Sequence, residues 1–190
     1  MKNSPLKVDK SWTLFLDRDG VINKKLPGDY VRNISEFEFL AGVKESIASL
    51  HKIFGLVIVI TNQQGVGKGI MSSENVRIVH EFMRSEIAKA GGDIHAVFFC
   101  PDLDGSGSRD RKPETGMALK AKNSFPEIDF DKTIMVGDSI TDMEFGKKLD
   151  LTTVFIQKEK DTQQINNSLI DHVFTSLKEF SDFIYESNPS

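Results

Sequence analysis

Asp17-Arg18-Asp19-Gly20, Thr61-Asn62-Gln63-Gln64-Gly65, Arg111-Lys112-Pro113 and Gly137-Asp138-Ser139, with Asp142 close behind, are the segments of this chain whose side chains could do chemistry. Each alone has an ordinary reading. Asp-x-Asp, Thr-Asn and Gly-Asp are common turn or capping pairs, and a lysine before proline usually lies on a surface. Gathered at one point they make something else. Clustered carboxylates repel, and without a cation some of them must hold protons. A hard divalent ion resolves the conflict, and Mg²⁺ takes one or two carboxylates together with phosphate and water. A lysine and a threonine hydroxyl facing the same point suit the non-bridging oxygens of a phosphoryl group. Positioning and charge neutralisation are the means by which proteins accelerate phosphoryl transfer.

The elements that would gather these residues are legible in the hydrophobic pattern. Trp12–Leu16 is short, aromatic and apolar, which predicts a buried strand. Leu56–Ile60 is wholly apolar and largely β-branched, as a strand covered on both faces must be. Ile94–Cys100, Thr133–Val136, Thr152–Ile156 and Val173–Phe174 read as further strands. Between them, Val43, Ile47, Leu50 and Phe54 recur at helical spacing until Gly55. Ser72 or Ser73 would cap a second helix with Val76, Val79, Met83, Ile87 and Ala90 inward, ended by Gly91-Gly92. Helices are also expected over Glu114–Asn123, over Asp142–Leu149, and after a Ser176/Glu179 capping box. Strands alternating with helices predict an α/β fold, a doubly wound parallel sheet with right-handed crossovers. Ligands of such sheets bind beyond the carboxyl ends of the strands. All four chemical segments follow strands, so the topology would set them on one rim.

In that order, D-x-D-G-V, a strand ending in Thr-Asn, a lysine before proline and Gly-Asp-x-x-x-Asp resemble the haloacid dehalogenase (HAD) phosphatase superfamily, over roughly Thr13 to Ile156. Leu16–Asn23 (LDRDGVIN), Asp29-Tyr30-Val31, Phe37-Glu38-Phe39, Gly42-Val43 and Thr61–Gly69 (TNQQGVGKG), followed by Arg111-Lys112-Pro113, are similar to the heptose bisphosphate phosphatase family. Histidinol-phosphate phosphatases carry similar motifs, and polynucleotide 3′-phosphatases share the Thr-Asn-Gln and Arg-Lys-Pro segments. The resemblance implies a phosphomonoesterase acting on a small phosphorylated metabolite. It makes Asp17 the nucleophile, Asp19 the general acid and then base, and Thr61 and Lys112 the phosphoryl-binding groups. Asn62 and Arg111 would hold substrate. Asp17, the backbone carbonyl of Asp19, and Asp138 would hold Mg²⁺, with Asp142 supporting Lys112 or a metal-bound water.

The intervals between the motifs leave no room for a cap domain, so the site is expected to be open, with Lys24–Tyr30 and Leu103–Ser108 as its rim. One departure stands out. These families usually carry a zinc loop of the form C-x-H…C-x-C-R-K-P. Here the four ligand positions align with Cys100, Asp102, Ser108 and Asp110, only one of which is a soft ligand. Tetrahedral structural zinc wants Cys and His, so none is expected. Gly65–Gly69 fails as a phosphate loop, because Asn62 and Gly69 occupy positions that such a loop gives to Gly and Ser/Thr; it reads as a turn. The four histidines are scattered over different elements and read as surface or packing residues.

The composition fits one domain over residues 1–190. Twenty-four Lys and Arg against 28 Asp and Glu give a net charge of −4, which argues against a nucleic-acid partner. The single cysteine excludes an intramolecular disulfide. The polar amino-terminal segment carries no apolar signal region, and Leu56–Ile60, the longest apolar run, is too short for a membrane span. The expectation is a cytoplasmic monomer with no membrane partner. Its rivals are a catalytically inactive binding module on the same fold and a nucleic-acid 3′-phosphatase.

Overall fold

A computed structural model describes residues 5–157 and 167–188. Among the described residues six strands form one wholly parallel sheet: β1 (Thr13–Leu16), β2 (Leu56–Asn62), β3 (Ala96–Cys100), β4 (Thr133–Gly137), β5 (Thr152–Ile156) and β6 (His172–Phe174). Their spatial order is β3-β2-β1-β4-β5-β6. The helices are α1 (Val43–Ile53), α2 (Ser73–Lys89), α3 (Gly116–Ser124), α4 (Ile140–Lys147) and α5 (Leu177–Ser187).

Strand alternation sorts the apolar side chains into two cores. Leu14, Leu16, Val57, Val59, Ile134 and Val136 face one side and pack with Val43 and Ile47 of α1, Val79 and Met83 of α2, and Phe180 and Ile184 of α5. Phe15, Ile58, Ile60 and Met135 face the other and meet Met117 and Ala118 of α3 and Phe145 of α4. Covering both faces is what makes β1, β2 and β4 apolar at nearly every position.

The expected doubly wound sheet is therefore present, with differences at element ends. Ser72 caps α2, and its hydroxyl accepts from the Asn75 N–H at 3.0 Å. Gly55 does not end α1 through a left-handed turn. A Cβ there would stand 2.1 Å from the Lys10 carbonyl oxygen, so glycine permits a close chain approach instead. α4 begins at Ile140 rather than Asp142, because Ser139 is its cap and Asp142 completes a capping box. The start of α5 is half a box: Ser176 accepts from the Glu179 N–H, but the Glu179 carboxylate turns to the Thr175 N–H. Among the described residues no helix is long and apolar enough to cross a membrane.

Candidate active site

The chain runs outward from β1 in both directions, through β2 to β3 and through β4 to β6. The connections from β1 and β4 therefore leave to opposite faces, and a crevice opens between their carboxyl ends. Asp17 follows β1, and its N–H donates to the Val136 carbonyl at 2.9 Å, extending the β1–β4 pairing to the crevice edge. Asp138 follows β4 directly. Gly20 has φ +95°, and a Cβ there would lie 2.0 Å from Asp138 Oδ2. Only glycine lets the loop after β1 pass this close to the second carboxylate.

Lys112 reaches the same point from the loop before α3. Its Nζ is buried and donates to Asp17 Oδ1 at 2.8 Å and to the Ile60 carbonyl at 2.7 Å. It forms an ion pair with Asp142 Oδ1 at 2.6 Å. Asp142 thus serves two ends: Oδ2 accepts from the Ser139 N–H and hydroxyl at the start of α4, while Oδ1 faces the lysine. Asn62, at the end of β2, fixes the lysine's backbone. Its Nδ2 donates to the Lys112 carbonyl and its Oδ1 accepts from the Lys112 N–H, each at 3.0 Å. Thr61 is buried at the cavity wall, and its Oγ1 accepts from Gln63 Nε2 at 3.0 Å, which leaves its own hydrogen free to donate.

The electrostatics of this group favour a cation. Burial pushes the Asp17 carboxyl up to about 7; Lys112 opposes this, while Asp142 and Asp138 add to it. Burial would also discharge Lys112, but Asp142 and Asp17 outweigh it and hold the ammonium above its ordinary pKa. Lys25 Nζ, at 3.2 Å from both Asp138 oxygens, already answers the pull of the same acidic niche. Carboxylate oxygens of Asp17, Asp138 and Asp142 lie within 4.8 Å of one another. Three carboxylates face two ammonium groups, and the donors are hard oxygens, so the residues fit Mg²⁺.

A HAD-hydrolase-like family model matches residues 110–180. The D-glycero-alpha-D-manno-heptose-1,7-bisphosphate 7-phosphatase of Mycobacterium tuberculosis is 35% identical over 170 residues, covering 90% of each chain. Its counterpart from Campylobacter jejuni is 34% identical over 180 residues, covering 94% of this chain and 99% of the relative. The chain belongs to the heptose bisphosphate phosphatase family of HAD hydrolases. A solved structure in the family, the D,D-heptose 1,7-bisphosphate phosphatase of B. bronchiseptica complexed with magnesium and phosphate, superposes with a TM-score of 0.82 at 25% identity. The match covers 92% of this chain and 98% of that one.

Four residues around the site, Arg18, Asn23, Gln63 and His80, were not anticipated from the sequence. Asp19 lines the cavity, and its carboxylate is held by Arg18, Asn23 and Gln63. Burial alone would raise the Asp19 carboxyl, but Arg18, Asn23 and Gln63 outweigh it and hold it below the usual range. Arg18 in turn meets His80 of α2. Arg18, Asn23 and Gln63 stand inside the recognised motifs, so their place in the motif was the available signal. His80 had none, because helical spacing alone makes it one more inward residue.

The cavity has a volume of about 460 Å³. Its rim is Lys25, Leu26, Gly28, Asp29 and Tyr30, as expected, joined by Gln64, Lys68 and Arg111. Leu103–Ser108 do not line it. They border a separate recess that shares only Arg111 and Lys112 with the main cavity. Arg111 bends toward them, donating from Nη1 to the Asp102 carbonyl at 3.3 Å. Three of the four zinc-loop positions touch one another, and the fourth pairs its carboxylate outside the group. Cys100 Sγ lies 3.6 Å from Asp102 Oδ2 and 3.7 Å from Ser108 Oγ, while Asp110 is ion-paired with Lys120. Burial holds the Cys100 thiol above its ordinary pKa.

Proposed function

We propose that the chain is a Mg²⁺-dependent phosphomonoesterase that removes the 7-phosphate of D-glycero-D-manno-heptose 1,7-bisphosphate through an aspartyl-phosphate on Asp17. The observation that carries this is the buried Lys112 ammonium joining Asp17 to Asp142 beneath an open cavity that Asp138 also faces. The names of the relatives support the substrate.

Asp17 attacks phosphorus as the bond to the ester oxygen breaks; Asp19, ionised in the free enzyme, takes up a proton when the anionic ester binds beside it and gives that proton to the departing alkoxide. Asp19 then takes a proton from the water that attacks the phosphorus and frees Asp17. Lys112 and the Thr61 hydroxyl donate to the transferring oxygens, where charge develops. Asn62 and Asp142 keep the lysine in place. Mg²⁺, held by Asp17, the Asp19 carbonyl and Asp138, would neutralise charge on the phosphoryl oxygens and on Asp17.

The rim favours a second anion on the substrate. Lys25, Lys68 and Arg111 face the cavity there against Asp29, an arrangement that suits a second phosphate and repels the ammonium group of histidinol phosphate. The reading includes one domain over residues 1–190, a cytoplasmic monomer, and no structural zinc, since Cys100 is the one soft donor among the four aligned positions.

The test is kcat/KM for the heptose bisphosphate and for histidinol phosphate in Mg²⁺. The bisphosphate should be preferred by at least about tenfold, a difference of roughly 1.4 kcal/mol. Preference for histidinol phosphate overturns the substrate, and turnover by Asp17→Asn overturns the mechanism. Stoichiometric bound zinc would show that the loop alignment is wrong.

A further inference from the structure

Donors hold both oxygens of the Asp19 carboxylate, while about a quarter of the side chain (24%) stays exposed where it lines the cavity. Oδ1 accepts from Arg18 Nη2 and Asn23 Nδ2, each at 2.9 Å. Oδ2 accepts from Arg18 Nη2 and Gln63 Nε2, each at 2.8 Å. Arg18 itself has no exposed surface. Its other terminal nitrogen, Nη1, lies 3.0 Å from Nε2 of His80, which α2 brings in from 62 residues away. An arginine can only donate, so His80 Nε2 accepts and the ring carries its hydrogen on Nδ1. Burial, reinforced by Arg18, pushes the His80 pKa down to about 3, so the ring stays neutral at working pH.

This chain of contacts has a direction. A long buried side chain holds a fixed orientation when both ends of its guanidinium are engaged. Asp19 engages one end and His80 the other. An apolar residue at position 80 would pack as well against Phe99, whose ring meets His80 edge-on at 5.7 Å, but would leave Nη1 without an acceptor.

We infer that Arg18 and His80 are positioning residues that aim the Asp19 carboxylate at the leaving-group oxygen, His80 acting as an obligate hydrogen-bond acceptor. This rests on the reading of Asp19 as acid and base given above.

The experiment compares two esters. An alkyl phosphate needs a proton on its leaving oxygen, whereas p-nitrophenyl phosphate releases a stable phenolate that does not. Because kcat/KM covers only the steps up to departure of the leaving group, hydrolysis of the aspartyl-phosphate does not enter. His80→Leu should lower kcat/KM for the heptose bisphosphate by about 10- to 100-fold, part of the ~10²–10⁴-fold that general acid catalysis supplies. On p-nitrophenyl phosphate the loss should stay below about threefold, and His80→Gln, which keeps an acceptor, should stay within about threefold of wild type on both. Arg18→Lys should discriminate between the esters in the same sense, and serves if the leucine variant does not fold. Equal loss on both esters, or a glutamine variant as impaired as the leucine one, overturns the inference. Asp19→Asn separates the two levels. If it spares both esters, the reading of Asp19 falls; if it discriminates and His80→Leu does not, only the positioning role falls.

Discussion

Two ends of the same sheet each bring three ligand-type side chains within 4.8 Å. Beyond the carboxyl ends of β1 and β4 these are Asp17, Asp138 and Asp142; before the amino ends of β2 and β3 they are His51, Asp93 and His95. The distances are alike and the chemistry is not. His95 Nδ1 accepts from the Val57 N–H at 3.1 Å, so its Nε2 carries the hydrogen and offers no lone pair. Burial, Lys10 and His95 hold the His51 pKa down, and Lys10 Nζ donates to the His51 carbonyl at 2.7 Å, which puts a cation beside the group. His51 Nδ1 is buried without a hydrogen-bond partner, so a ring nitrogen stands unpaired at this end too. At the other end the carboxylates outnumber the ammonium groups. What sets the carboxyl end apart is uncompensated negative charge at an opening in the sheet, and proximity alone does not supply it.

The comparison can be broken most directly at Asp17. Asp17→Asn should lower kcat by at least about 10³-fold, as removal of a nucleophile does, in a phosphate-release assay. Turnover near wild type would leave the carboxyl end no more functional than the other. Lys112→Ala should come next, losing activity and about 3–5 kcal/mol of stability in urea unfolding, because Asp17 and Asp142 are left buried without their cation. An unchanged midpoint would show that the lysine does not hold the cluster together. The third test sharpens the charge argument. With Asp17 near 7 before metal binds, Mg²⁺ must displace its proton below about pH 7, and none above. Apparent affinity by calorimetry should therefore fall, by up to about tenfold per pH unit, as pH drops through that value; a flat profile from about pH 5.5 to 8 contradicts it. The smallest effect is expected at the opposite end. His95→Ala should cost about 1 kcal/mol for the lost Val57 hydrogen bond and leave Mg²⁺-dependent activity unchanged. A loss of activity there would erase the distinction.

Much of the fold was legible because both signals it depends on are local. Apolar runs such as Leu56–Ile60 mark buried strands wherever they occur, and the 3.6-residue period of Val76, Val79, Met83 and Ile87 marks a helix face. The misplaced ends have different causes, one tertiary and one local. Gly55 reads as a helix stop, but its constraint comes from Lys10, distant in sequence. The start of α4 was missed because Asp142 was read for its charge, although Ser139-x-x-Asp142 also has capping-box spacing. The rim was half legible: Lys25 to Tyr30 follow the first motif into the cavity, whereas the path of residues 103–108 away from it is set by tertiary packing.

By itself the sequence determined the element order, the parallel sheet and the four segments at its strand ends, since each depends on residue type and short spacing. Tertiary structure alone decided which lone pairs and charges remain available. It turned Asn62 onto the Lys112 backbone, divided Asp142 between a helix cap and a lysine, and carried His80 from the core face of α2 to Arg18 behind Asp19. Those outcomes depend on distances between residues far apart in the chain, and burial magnifies each one because an unpaired polar group has no water to turn to.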